Sequence, residues 1–186
     1  MTESDAEIVR RSTGNDTKAF GELFWRHNGA VHGYLARRAG RDVADDLVAD
    51  VWLRAFRSRA TFDLRYPDAR PWLYGIARNV LSAHWRKLTK VPPPVPAAIS
   101  DPWPQLEEQL DESERRESLL EALDVLTHEE REVLLLVAWE QLSAAEIALV
   151  LNVPASTVRN RLHRARVGMR SRLEPELDDL DREKDI

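Results

Sequence analysis

The stretch LSAAEIALVLNVPASTVRNRLHRARVGM, residues 142–169, decides the fold. It reads as a short apolar-periodic helix, a break at Asn152-Val153-Pro154 and a second helix crowded with arginine. Ser143 followed three residues on by Glu146 is a capping box, which sets the start of the first helix. Ile147, Ala148 and Leu151 repeat at three- and four-residue steps and give that helix one buried face. Pro154 cannot continue it but can begin the next, with Ser156 and Thr157 as polar groups near the first turn. Val158, Leu162 and Ala165 then face inward, while Arg159, Asn160, Arg161, His163, Arg164 and Arg166 cover the rest. This spacing predicts a helix-turn-helix, whose second helix can lie in the DNA major groove.

A plain αα-hairpin with a solvated basic face is the competing explanation. Against it, residues 154–172 hold six arginines and no carboxylate, whereas a solvated helix normally mixes signs. Arginine forks grip phosphate and guanine edges, and asparagine pairs with adenine, so these residue types suit base reading as well as backbone anchoring.

Upstream, Thr127-His128-Glu129-Glu130 is another capping box, opening a helix with Val133, Leu134, Val137 and Ala138 inward. An acidic helix is expected before it, over about Gln105 to Leu126, packing through leucines 106, 110, 119, 120, 123 and 126. Downstream, the acidic tail from Glu174 is expected to fray. Residues 91–104, VPPPVPAAISDPWP, hold six prolines and predict an extended, semi-rigid linker that divides the chain in two.

The amino-terminal part is also helical in pattern. From Asp16 to Arg38, Phe20, Leu23, Phe24, Val31, Tyr34 and Leu35 mark a buried stripe interrupted near Gly29. His27 and His32 lie here without a carboxylate or cysteine at ligand spacing, and read as surface or packing residues. DVADDLVADVWLRAFR, residues 42–57, lines one side with Val43, Leu47, Val51 and Ala55 and another with Asp45, Asp46, Asp50 and Arg54. That acidic face is either solvated or a dock for a basic partner. Residues 58–71 lose the helical period and carry two prolines, predicting an ordered loop with Phe62 and Tyr66 as contact aromatics. In WLYGIARNVLSAHWRKLTK, residues 72–90, Trp72, Leu73, Ile76, Ala77, Val80 and Leu81 form an apolar stripe beside Arg78, Asn79, His84, Arg86, Lys87 and Lys90. Aromatics beside cations are what unstacked bases need, although tryptophan on such a helix more often packs in a core.

No strand pattern of useful length appears, so the expected fold is all-α. At 186 residues and 43% hydrophobic content the chain suffices for one medium domain or two small ones. The absence of cysteine excludes disulfides and thiolate metal sites. The start, MTESDAEIVRRS, lacks the apolar region of a signal peptide, and no apolar run approaches membrane-spanning length, so a soluble cytoplasmic protein is expected. Net charge is -5, yet residues 1–98 carry 16 Lys+Arg against 11 Asp+Glu and the remainder 11 against 21. The basic helix therefore stands between acidic flanks that offset phosphate attraction, which points to a DNA reader that needs a partner.

Four stretches in order resemble the group IV, or extracytoplasmic function (ECF), sigma factors of bacterial RNA polymerase. FGELFWRHNGAVHGYLARR is similar to the first conserved helix of sigma region 2, DVADDLVADVWLRAF to its core-binding helix and PWLYGIARNVLSAHWRK to its promoter-melting helix. The run from Leu126 to Arg166 resembles sigma region 4, and the likeness covers about residues 5–173. It implies a region 2-like domain over 1–90, the linker over 91–104, a region 4-like domain over 105–173 and an acidic tail over 174–186. It further implies a promoter-specificity subunit with no cofactor and no catalysis of its own. Asp45, Asp46, Leu47, Asp50, Leu53 and Arg54 would meet a coiled coil of the largest polymerase subunit. Region 4 would sit on the flap of the second-largest subunit. Arg159, Asn160, His163 and Arg164 would enter the minus 35 major groove, with Thr157, Arg161 and Arg166 nearer phosphates. The loop from Asp63 to Arg70, Tyr66 included, would receive a flipped minus 10 base, Asn79 and Arg86 would contact adjoining DNA, and Trp72 would support the loop. An anti-sigma partner is admitted by the likeness, though no residue identifies it. Ala49 departs from the pattern, standing where relatives often carry glutamine.

Two other classes compete. A free-standing helix-turn-helix regulator would bind operators directly, usually as a two-fold dimer. An enzyme would need a nucleophile and base, a phosphate-binding glycine loop or a metal cluster, and the sequence displays none of these.

Overall fold

The computed structural model describes residues 3–89, 119 and 121–183, with backbone alone beyond Leu173. Its regular elements are helices joined by turns and loops, with no strand among the described residues. The chain divides into two compact units, Met1–Leu106 and Glu107–Ile186. The proline-rich segment 91–104 and most of the acidic helix expected over 105–126 lie outside the described residues; within the latter, 121–124 are helical.

The first unit contains α1 (Asp5–Thr13), α2 (Phe20–Ala39), α3 (Arg41–Ser58) and α4 (Arg70–Thr89), with short 3-10 turns at Thr17–Ala19 and Arg59–Thr61. Helix α1 has no counterpart in the sequence reading. Its signal was present, because Ser4 and Glu7 form a reciprocal capping box ahead of the buried pair Ile8 and Val9. Helix α2 runs through Gly29 without a break. What looked like an interruption is a polar member of the core stripe: His27 is buried between Leu23 and Val31, and Arg38 extends the same stripe at its far end. The Arg38 guanidinium lies 3.7 Å above the Tyr34 ring and donates to the Tyr34 carbonyl.

Helices α2 and α3 meet at Gly40, whose φ of 81° and ψ of 161° belong to a region that only glycine occupies readily. This one residue lets two helices join without a loop. They pack through an aromatic cluster in which Trp52 stands edge-on to Phe20 and Phe24, while Phe56 adds to Phe20. Trp52 also donates its indole N–H to Asn28 Oδ1 at 2.9 Å, so a large ring is buried with its polar atom satisfied. Helix α4 closes the bundle with Leu73, Tyr74, Ala77, Val80 and Leu81 inward, Tyr74 stacking on Tyr34 at 5.1 Å.

The second unit holds α5 (His128–Ala138), α6 (Ala144–Leu151) and α7 (Ala155–Glu183). Thr127 and Ser143 cap α5 and α6 through the boxes read from sequence. The inward face of α5 differs from expectation. Val133, Leu135 and Leu136 are buried along with Arg131 and Glu132, whereas Leu134 and Val137 are half-buried and Ala138 is exposed. The run VLLLV is apolar all round, so its period could not fix the phase, and Arg131, which donates to the Leu123 carbonyl, anchors it. Helix α7 continues to Glu183, so the backbone of 174–183 is helical where a frayed tail was expected. Near its middle Gly168 admits Leu126: a Cβ there would come 3.0 Å from Leu126 Cδ2.

Candidate nucleic-acid interface

The helix-turn-helix is built from α6, a turn and α7. Asn152 ends α6 in the left-handed conformation, φ 53° and ψ 49°, and its own N–H and that of Val153 both reach back to the Ala148 carbonyl. Pro154 then accepts from the N–H groups of Thr157 and Val158 and starts α7. Ile147, Val150, Leu151, Val158 and Ala165 are buried between the two helices and α5, with Leu162 half-buried. This burial fixes the rotation of α7. Arg159, Asn160, His163, Arg164 and Arg166 are consequently exposed, while Thr157 and Arg161 are half-buried at the margin. The exposed face carries arginine, asparagine and histidine, groups that donate to guanine, adenine and phosphate.

In the first unit, loop 62–69 precedes α4. Phe62, expected as a contact aromatic, is instead 6% exposed and packs edge-on to Trp72 at 5.4 Å. Its ring is the buried anchor of the loop, and half-buried Trp72 supports it. Leu64, Arg65 and Tyr66 are exposed at the tip. Arg65 grips Asp63 through both carboxylate oxygens and its backbone N–H, which holds the Asp63 carboxyl at about 2. Asp63 is thus engaged inside the loop, and Arg65, absent from the sequence reading, presents the exposed cation. Arg70 is likewise paired with Asp68 at 2.7 Å. Along α4, Asn79, Arg86 and Lys87 are exposed.

On α3, Asp45, Asp46, Asp50 and Arg54 are exposed and Leu53 stands 46% exposed among them. Leu47 does not belong to this face. It is buried with Ala44 and Val51 and contributes to packing inside the unit.

Burial also gathers groups that are distant in sequence. Asp5, His27 and Asp68 bring ligand atoms within 4.8 Å of one another. The Asp5 carboxylate accepts from Arg26 and from His27 Nε2–H at 2.7 Å, and from the Ala69 N–H at 2.8 Å. Asp68 accepts from the Arg70 backbone and side chain. The cluster is therefore closed by hydrogen bonds of its own. Burial raises the proton affinity of Asp5, but His27, the Ala69 N–H and Arg26 outweigh it and keep the carboxyl below its ordinary range.

Residues 23–91 match the family Sigma-70 region 2 and residues 116–167 match Sigma-70, region 4, leaving residues 92–115 between them. ECF RNA polymerase sigma factor SigM of Mycobacterium tuberculosis is 33% identical over 166 residues, covering 88% of this chain and 81% of SigM. The chain belongs to the ECF RNA polymerase sigma factors. The ECF sigma factor BldN of Streptomyces coelicolor is 29% identical over 163 residues, 86% of this sigma factor but 62% of BldN's own length. The sigma-E factor of Haemophilus influenzae is 28% identical over 189 residues, 92% of this chain and 96% of that protein. Among solved structures, CnrH in complex with the cytosolic domain of CnrY matches at a TM-score of 0.60 and 28% identity, over 92% of this chain and 97% of that one. RpoE bound to the anti-sigma factor NepR of Bartonella quintana has the same fold, with a TM-score of 0.58 and 21% identity over 84% and 98% of the two chains. No helix among the described residues is long and apolar enough to cross a membrane.

Proposed function

We propose that this sigma factor binds core RNA polymerase and directs it to start transcription at promoters with minus 35 and minus 10 elements. The observation that carries the reading is the exposed face of α7 over residues 155–172, a carboxylate-free row of arginine, asparagine and histidine in a chain whose net charge is -5. Residues 1–90 form the region 2 domain, 91–104 a linker, 105–173 the region 4 domain and 174–186 an acidic extension. Arg159, Asn160, His163 and Arg164 read the minus 35 groove, with Thr157, Arg161 and Arg166 toward phosphates. Arg65 and Tyr66 at the loop tip, with Asn79 and Arg86 on α4, meet the minus 10 strand, and Asp63, Arg70 and Trp72 hold the loop. Asp46, Asp50, Leu53 and Arg54 dock on the largest-subunit coiled coil beside Asp45, and region 4 on the flap of the second-largest subunit.

The protein works in the cytoplasm, needs no cofactor and supplies no catalysis of its own. An anti-sigma factor is a further partner within this proposal. The test is reconstitution. Purified chain added to core polymerase should yield a stoichiometric complex and transcripts with one set of starts sharing upstream elements; failure to bind core overturns the proposal. Tight specific binding by the chain alone would favour a free-standing regulator instead.

A further inference from the structure

Asp5 lies outside both family matches, the first of which begins at residue 23, yet it touches the loop assigned to the minus 10 element. Its backbone N–H donates to the Pro67 carbonyl at 3.0 Å, and its Oδ2 accepts from the Ala69 N–H at 2.8 Å. Two hydrogen bonds from one residue thus bracket Pro67–Ala69. The same carboxylate is held from α2 by His27 and Arg26, and Arg26 also donates to the Glu3 carbonyl. The Ser4–Glu7 capping box fixes Asp5 in the first turn of α1.

The loop is pinned at both ends as a result. Phe62 buries its start against Trp72, Asp5 clasps the backbone of its end, and Leu64, Arg65, Tyr66 and Pro67 are exposed between half-buried Asp63 and Asp68. Ala69 is fully buried, and its carbonyl accepts from the Leu73 N–H in the first turn of α4. Asp5 therefore sets both the loop's path and the start of the helix that carries Asn79 and Arg86.

We propose that Asp5 is a positioning residue for minus 10 reading: through Pro67 and Ala69 it holds loop 63–66 in the shape that receives a base. The inference rests on the assignment of that loop to the minus 10 element. A loop that is competent only part of the time binds its ligand more weakly by that fraction, so releasing the clasp acts on base selection at this element and not at the other.

The experiment uses the full chain with core polymerase and two promoter pairs, one differing at a single minus 10 base and the other at a single minus 35 base. Asp5→Ala is expected to lower the minus 10 preference about tenfold while the minus 35 preference and core affinity stay within about twofold. Asp5→Asn keeps an acceptor for the Ala69 N–H and is expected to lose about threefold. A melting curve for each variant establishes folding at the assay temperature. If Asp5→Ala does not fold there, Asp5→Asn decides alone: the threefold loss upholds the inference and an unchanged minus 10 preference overturns it. Equal loss at both elements, or loss that follows core affinity, makes Asp5 merely structural and overturns it as well. Tyr66→Ala separates this from the reading beneath it. If Tyr66→Ala alters the minus 10 preference and Asp5 variants do not, only the clasp is wrong; if neither alters it, the loop is not the reader.

Discussion

His32 Nε2 stands 2.8 Å from Asp45 Oδ1 and ties α2 to the acidic face of α3. Because Asp45 already has a partner within the chain, Asp46 and Asp50 probe docking on that face without breaking an internal contact. The double substitution Asp46→Lys, Asp50→Lys should weaken core polymerase association by about 3 kcal/mol, since like charges set against each other cost several kcal/mol. Fluorescence titration with core measures this, and the melting temperature should move little. Undiminished binding would show that the face is only solvated.

Arg164 is exposed on α7 one turn beyond Asn160. Arg164→Ala should cost about 1 to 3 kcal/mol of discrimination at one minus 35 position. Competition between promoter variants in holoenzyme transcription reads it. A uniform loss across sequences, with a shallower salt dependence, would place Arg164 on phosphate.

Gly40 has open space around the position of a missing Cβ, so a substitution there meets backbone strain alone. Gly40→Ala should destabilise the first unit by about 1 to 3 kcal/mol, seen as a lower urea midpoint. Unaltered stability would mean that the α2–α3 junction relaxes to an ordinary φ.

The Asp5 carboxyl sits below its ordinary value of 3.8 in the folded chain, so its protonation opposes folding. The stability it contributes is complete above that value and is lost as pH falls through the folded one. Below about 4 the difference in unfolding free energy between wild type and Asp5→Asn should shrink as pH falls. Urea unfolding at stepped pH checks the trend; a gap that widens with acid contradicts it.

Much of this architecture could be read from the amino acids. Ser143–Glu146 and Thr127–Glu130 announced two helix starts, Pro154 the turn, and the apolar repeats of α2, α3 and α4 their inward faces. Misreadings fall where polar side chains enter the core or where apolar residues surround a helix. His27 and Arg38 continue the α2 stripe but look like gaps in it, and the VLLLV run of α5 carries no phase. For the candidate site, exposure of α7 followed from Val158 and Ala165. The clasp did not, because Asp5 and Ala69 are 64 positions apart and meet only through tertiary packing. Arg65 was passed over because its pairing with Asp63 depends on the turn at 63–66.

Trp52 closes the α2–α3 interface, and Trp52→Ala should cost about 3 to 5 kcal/mol, whereas Trp52→Phe, which loses the bond to Asn28, should cost less. Denaturant melts distinguish the two. Equal costs would assign the whole effect to the hydrogen bond.

The most direct measurement is promoter binding by the full chain at physiological salt, with and without core polymerase, on a fragment identified by sequencing the transcripts the pair produces. The chain alone should show no preference for that fragment over random DNA, because its acidic flanks offset the arginines of α7, and adding core should give a specific, salt-resistant complex that initiates at one start. Nanomolar, sequence-specific retention by the isolated chain, unchanged when core is added, would contradict the account.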